Sequence, residues 1–330
     1  MQAYIIRRVI LIIPTLLVLT FLVFLSVRFI PGDVIEMMVA EMGEITGGGA
    51  ELTPDALRHA LGLDVPVHVQ YARWLGVIPN MDGSFSGLFQ GNLGESLWKG
   101  TAVTEELIKR LPISVELGIL AILTALVIAL PVGTYSAIRQ DSPTDYMGRT
   151  FAILMLALPN FWLATMVVVY PSIWWSWSPP IEYIPIVQNP LENLTQFILP
   201  ALIMGTAMSA STMRITRTMM LEVLRQDYIR TAWAKGLSER TIIIRHAVRN
   251  AFIPVVTMIG FQIPLLVGGS VIMEQIFCLP GIGRLFIEAL NSRDYPIVSG
   301  INTMIATVVM VNNLFIDLTY AWLDPRTVYK

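Results

Sequence analysis

Residues 117–138, LGILAILTALVIALPVGTYSAI, run for 22 positions without a charged side chain, between Glu116 and Arg139. A helix of that length rises about 33 Å, enough to cross a hydrocarbon core about 30 Å thick. Five further stretches have the same character: 9–27, a span inside 151–181 that Pro171 should end, 193–213, 251–273 and 296–316. The chain therefore reads as an all-α, polytopic membrane protein with six transmembrane helices. Composition agrees, with 55% of residues hydrophobic and 14% charged, against about 25% charged in ordinary globular chains.

The remaining composition excludes several functions. A formal net charge of −2 supplies no basic field, so nucleic acid is not expected as a partner. Cys278 is the single cysteine, and the three histidines, His59, His68 and His246, fall in segments of different character, so no metal or cofactor is expected on this chain. None of the four lysines is followed by serine or threonine, which removes the phosphate-cradling loop of nucleotide hydrolases. No cluster of nucleophile, base and acid is apparent, so the chain does not read as an enzyme.

Basic residues in short loops orient a membrane chain. Arg7 and Arg8 precede the first span, Arg139 and Arg149 follow the second, and Arg326 and Lys330 end the chain. The connection 214–250 holds eight more, whereas 171–196 holds none and 274–295 only Arg284 and Arg293. Both termini are thus expected in the cytoplasm. The first apolar run is too long for a secretory leader and lacks a small-residue cleavage site, so it is expected to stay. Three regions follow: 1–30 as the first transmembrane helix, 31–114 as an extracytoplasmic cap, and 115–330 as a core domain with five transmembrane helices.

Within the cap, Thr53 precedes Pro54 and Asp55, a helix start that Gly62 should close. A second helix should run from Val67 to Leu75 and stop at Gly76, before a glycine-rich stretch that reads as loop. In the 214–250 connection, 221–235 holds no proline or glycine and reads as one helix ended by Gly236, with Leu221, Leu224, Tyr228 and Ala232 on a stripe.

Asp227-Tyr-Ile-Arg-Thr-Ala-Trp-Ala-Lys-Gly236 resembles the cytoplasmic loop of permeases driven by ATP-binding cassettes. The likeness extends through Phe29-Ile-Pro-Gly-Asp33, Leu61-Gly-Leu-Asp64, Gln70-Tyr-Ala-Arg-Trp-Leu75, Gly91-Asn-Leu-Gly-Glu-Ser96, Arg110-Leu-Pro112, Pro159-Asn-Phe-Trp-Leu-Ala164, Leu199-Pro-Ala201, Leu279-Pro-Gly-Ile-Gly-Arg284, Arg293-Asp-Tyr-Pro296 and Tyr320-Ala-Trp-Leu-Asp-Pro-Arg326. These resemble the first membrane subunit of dipeptide, oligopeptide and nickel importers. Arg230, Thr231 and Ala232 stand where the general loop pattern often has Glu-Ala-Ala, which points away from the sugar and amino-acid branches.

The resemblance implies a type I ABC importer permease working by alternating access on peptides or related small solutes, in a bacterial or archaeal plasma membrane. It implies as partners a homologous second permease, two ATPase subunits or domains holding ATP and Mg, an extracytoplasmic solute-binding protein and membrane lipid. In the coupling loop 214–250, Asp227, Tyr228, Ile229, Arg230, Thr231, Ala232, Trp233, Ala234, Lys235 and Gly236 are the expected ATPase-coupling residues. Apolar contact falls to Tyr228, Ile229, Ala232 and Trp233. Small polar side chains in membrane helices usually bond neighbouring helices, and among them Ser209, Gln262, Ser270, Asn302 and Thr303 are the candidates for the translocation path. The alternative is a self-sufficient, ion-coupled secondary transporter, which the scarcity of charges inside the spans disfavours.

Overall fold

A computed structural model describes residues 2–28, 35–39 and 53–323. The Phe29–Asp33 motif, Arg326 and Lys330 lie outside the described residues. Helices come in the order α1 (Gln2–Arg28), α2 (35–39), α3 (Pro54–Ala60), α4 (Val67–Leu75), α5 (Val103–Ile138), α6 (Pro143–Ala157), α7 (Asn160–Trp175), α8 (Pro190–Leu224), α9 (Asp227–Ala234), α10 (Glu239–Thr241), α11 (Arg249–Ile276), α12 (Ile282–Asn291) and α13 (Tyr295–Leu323). A π-helical stretch, Ile242–Val248, leads into α11. The chain is all-α and polytopic.

Among the described residues, four helices are long and apolar enough to cross a bilayer: Val103–Ile138, Pro190–Leu224, Glu239–Pro264 and Tyr295–Thr319. α6 and α7 form an apolar pair bent by 87° at their junction, and they add a fifth crossing if the pair is one broken span. The sequence places an unbroken third span here that ends near Pro171; instead it breaks at Leu158. Pro159 disfavours helical backbone in the residue before it, and Leu158 is extended at φ −82°, ψ 121°. Pro171 is absorbed within α7, which runs on to Trp175. Within α1, 27 residues long, Ile10–Ser26 is apolar, and apart from it the described helices supply four crossings, or five with the bent pair counted as one span. Large apolar side chains on these helices point outward, among them Val127, Ile153, Phe261 and Phe315. Such a surface is stable against lipid and not against water.

The chain divides into two compact units. The first is Met1–Pro112 with Arg284–Met310. Its core gathers Ile35 and Met38 with Leu57, Leu61, Leu97, Trp98 and Tyr295. The Thr53 hydroxyl caps α3, accepting from the Ala56 amide, as its position predicts. The Tyr71 hydroxyl on α4 donates to the Leu17 carbonyl at 3.0 Å, holding α4 against α1, and Phe24 packs on the same ring. The buried Asp294 carboxylate accepts from the Ser96 hydroxyl and the Leu97 amide, which pins the glycine-rich loop.

The second unit is Ile113–Gly283 with Val311–Lys330. Leu117, Phe197, Met273 and Phe277 are buried together at the centre of one cluster. Another, built from Met220, Ile229, Ala232, Ile242 and Ala251, carries the segment that follows α8.

Candidate functional site

The stretch expected as one helix over 221–235 is two. α8 ends at Leu224, Gln226 is extended at φ −72°, ψ 147°, and α9 starts at Asp227. No proline or glycine causes the break. Burial does: with the axis turned at Gln226, Ile229 falls to 1% exposure and Ala232 to 7%, packed with Met220 and Ile242. Tertiary packing of that size outweighs a helix propensity of a few tenths of a kcal/mol per residue.

The turn also decides which face is free. Tyr228 and Trp233 stand 44% and 49% exposed, followed by Leu237 at 38%. The stripe through Leu221, Leu224, Tyr228 and Ala232 is therefore not one face, and Ile229 and Ala232 serve the chain's own core. Asp227, Arg230, Thr231, Ala234 and Lys235 are exposed. Arg230 and Asp227 form an exposed pair at 3.4 Å, which in water contributes little. Asn250 Nδ2 donates to the Tyr228 hydroxyl at 2.9 Å and so ties α9 to the start of α11.

Gly236 closes α9. Its amide donates to the Trp233 carbonyl and the Leu237 amide to the Ala232 carbonyl, the pair of bonds that ends a helix on a left-handed residue. Gly236 has φ +74°, and a Cβ placed there would meet nothing within 4 Å. Glycine is needed for the backbone angle, not for room within this chain.

The polar path candidates divide between the units. In the second unit, Gln262 Nε2 donates to the Ser211 and Thr212 hydroxyls at 3.3 and 3.2 Å, joining α11 to α8. Ser209 is buried and donates to the Thr206 carbonyl of its own helix. The Ser270 hydroxyl is buried with no hydrogen-bond partner among the described residues. In the first unit, Thr303 is buried and donates to the Ser299 carbonyl, and Asn302 is half-buried. Gln262 thus links helices, while Ser209 and Thr303 satisfy themselves along their own helix.

Two buried ionic groups escape a reading by pattern. Asp145, fully buried at the start of α6, accepts two bonds from Arg217, at 2.8 Å to Nε and 2.7 Å to Nη2. It also accepts from the Ser136 hydroxyl and the Asp141 amide. Read as a loop charge that fixes orientation, Arg217 is instead a strut between α8 and α6. Glu274, at the end of α11, is fully buried, and its Oε1 accepts from the Ser114 hydroxyl at 2.6 Å. Ser114 in turn accepts from the Ile282 amide at 2.8 Å. The Pro-Gly-Ile-Gly turn wraps this carboxylate closely, since a Cβ on Gly281 would lie 2.4 Å from Glu274 Cδ. The signal available in the sequence was a carboxylate just ahead of a Pro-Gly-x-Gly motif.

Comparison with known proteins places this architecture. Residues 129–329 match the family described as binding-protein-dependent transport system inner membrane component, and residues 1–118 match its amino-terminal counterpart. The oligopeptide transport system permease protein AppB of Bacillus subtilis (strain 168) is 39% identical over 333 residues, covering 100% of both chains. A putative peptide transport system permease of Brucella suis biovar 1 (strain 1330) is 36% identical over 329 residues, again over 100% of each. The dipeptide transport system permease protein DppB of Escherichia coli (strain K12) is 35% identical over 353 residues, with the same coverage. Among solved structures, an amino acid ABC transporter crystallised with histidines aligns with 68% of this chain and 94% of its own at 13% identity and a TM-score of 0.48. The family match supports an importer subunit and not the ion-coupled alternative. The chain belongs to the binding-protein-dependent transport system inner membrane components: it is a multi-pass permease subunit of an ABC importer, and not its ATPase.

Proposed function

We propose that this permease forms half of a translocation path for peptides or related small solutes, opened and closed by ATPases that grip α9. The observation that carries the proposal is the two-sidedness of α9. Its inner face, Ile229 and Ala232, is locked into the core, while Tyr228 and Trp233 present aromatic surface outward. Aromatic anchors of this kind supply most of the energy of protein interfaces. A helix fixed on one side and gripped on the other passes motion to α8 and α11 without dissipating it. Asp227, Arg230, Thr231 and Lys235 form the polar rim, and Gly236 sets the turn beyond it.

The permease pairs with a homologous second permease, two ATPase subunits or domains carrying ATP and Mg, and an extracytoplasmic binding protein. The peptide assignment rests on full-length relatives named as oligopeptide and dipeptide permeases. Six spans, both termini inside a bacterial or archaeal plasma membrane, an outer cap over 31–114 and a core permease domain over 115–330 complete the reading. Lipid contacts the outward apolar side chains.

Trp233→Arg tests it in membrane vesicles holding all subunits. Trp233 is half exposed, so the variant should insert and fold, yet ATP-driven peptide uptake should fall at least about tenfold. Ala232→Arg should fail differently, by forcing a charge into the chain's own core and lowering the amount of folded permease. Normal uptake by Trp233→Arg would remove α9 from the coupling role.

A further inference from the structure

The first unit holds a cavity of about 520 Å³, and one wall of it is chemically unfinished. Arg73, on α4, lines it. Its Nε and Nη1 atoms are buried and have no hydrogen-bond partner among the described residues. A guanidinium carries five donors and no acceptor, so two nitrogens stripped of water and left unbonded are costly. Asp64 feels the Arg73 charge but takes its close hydrogen bond from His59 Nδ1, at 2.6 Å. That bond holds the Asp64 carboxyl below its ordinary range.

Glu95 lines the same cavity, exposed, with no hydrogen bond or ion pair among the described residues. The other acidic lining residue, Asp82, is committed to its own turn through the Ser84 amide and hydroxyl. Apolar walls come from Phe24, Trp74 and Leu97, and Trp74 is held in place by its Nε1 bond to the Leu93 carbonyl. A half-buried guanidinium with two buried nitrogens that no described residue bonds, a carboxylate that no described cation pairs and an apolar wall make a receptor for a small molecule that bears both charges. A fork of guanidinium donors matches a carboxylate in particular.

We propose that this cavity binds the two charged ends of a short peptide outside the membrane, Arg73 taking the terminal carboxylate and Glu95 the terminal ammonium. Naming the zwitterion as a peptide rests on the peptide-importer reading. The charges and the cavity do not. Such a site would hold substrate on the permease itself, apart from the binding protein.

The test uses the assembled transporter in nanodiscs without its binding protein, and equilibrium dialysis of radiolabelled trialanine. Wild type should bind saturably. Trialanine amide, which lacks the carboxylate, should bind at least about tenfold more weakly, and N-acetyl-trialanine should also lose affinity. Arg73→Gln should bind as weakly as the amide does to wild type, with Arg73→Lys retaining part of the affinity. Because Arg73 Nε and Nη1 have no hydrogen-bond partner to lose among the described residues, Arg73→Gln should unfold at no lower temperature than wild type when no peptide is present, and trialanine should raise the unfolding temperature of wild type and not of Arg73→Gln.

Equal binding of trialanine and its amide, or unchanged binding in Arg73→Gln, would overturn the site. So would a fall of several degrees in the unfolding temperature of ligand-free Arg73→Gln, since Arg73 would then be structural. ATP-driven trialanine uptake with the binding protein present keeps the two readings apart. If uptake persists while binding to the cavity is absent, only the site is withdrawn; if uptake of every peptide is absent, the substrate reading goes with it.

Discussion

Truncating Asp145 to alanine leaves Arg217 charged, 18% exposed and without the carboxylate that receives its Nε and Nη2. Breaking one side of a buried pair costs about 3–5 kcal/mol, because the surviving charge keeps its desolvation penalty. Asp145→Ala should therefore lower the thermal unfolding temperature of the purified permease clearly. Adding Arg217→Met should restore much of it, since an apolar side chain of similar length carries no such penalty. A double variant as unstable as the single one would show that the pair is not the source of the loss. At this scale the sequence was least legible. Asp145 and Arg217 lie 72 positions apart, and each alone looks like a charge at a span's end. The charge bias fixed their expected side of the membrane, but the bond between them depends on how α6 returns against α8.

Glycines around Glu274 show what an element needs. A Cβ on Gly283 would sit 2.4 Å from the Val271 Cα, and backbone cannot yield. On Gly281 it would sit 2.4 Å from the Glu274 carboxyl carbon, a side chain that can turn away only by giving up its Ser114 bond. Gly283→Ala should thus cost about 1–3 kcal/mol through displaced backbone. Gly281→Ala should act through Glu274, so that Ser114→Ala adds little to it. Thermal unfolding of the single and double variants reads this directly, and full additivity would separate the turn from the carboxylate. Helices were legible wherever length and apolarity sufficed, and the caps at Thr53 and Gly76 fell where their chemistry put them. The 87° corner at Leu158 had a visible cause in Pro159. The break at Gln226 had none, because it is set by where Ile229 finds its partners.

Across the molecule, the basic-residue bias makes one topological claim: the loop before α8 is outside and the loop after α9 is inside. Cysteines replacing Val187, which is 92% exposed, and Ser238 should react with a membrane-impermeant thiol reagent from opposite sides in a background lacking Cys278. Reaction of both from one side would remove an odd number of crossings between them. Family membership, all-α architecture and the importer role were legible because motifs run in order along the whole chain. The orientation of α9 was not, and the proposed coupling surface follows from it. The central claim is that Tyr228 and Trp233 are that contact. The direct measurement is the affinity of the ATPase for the permease complex in nanodiscs, with Trp233→Ala compared to Arg230→Ala. Trp233→Ala should weaken binding by about 2 kcal/mol, roughly thirtyfold, while Arg230→Ala on the rim should change it by less than about fivefold. Unchanged affinity in Trp233→Ala, in a permease that folds and inserts as wild type does, would contradict the assignment of α9 as the coupling helix.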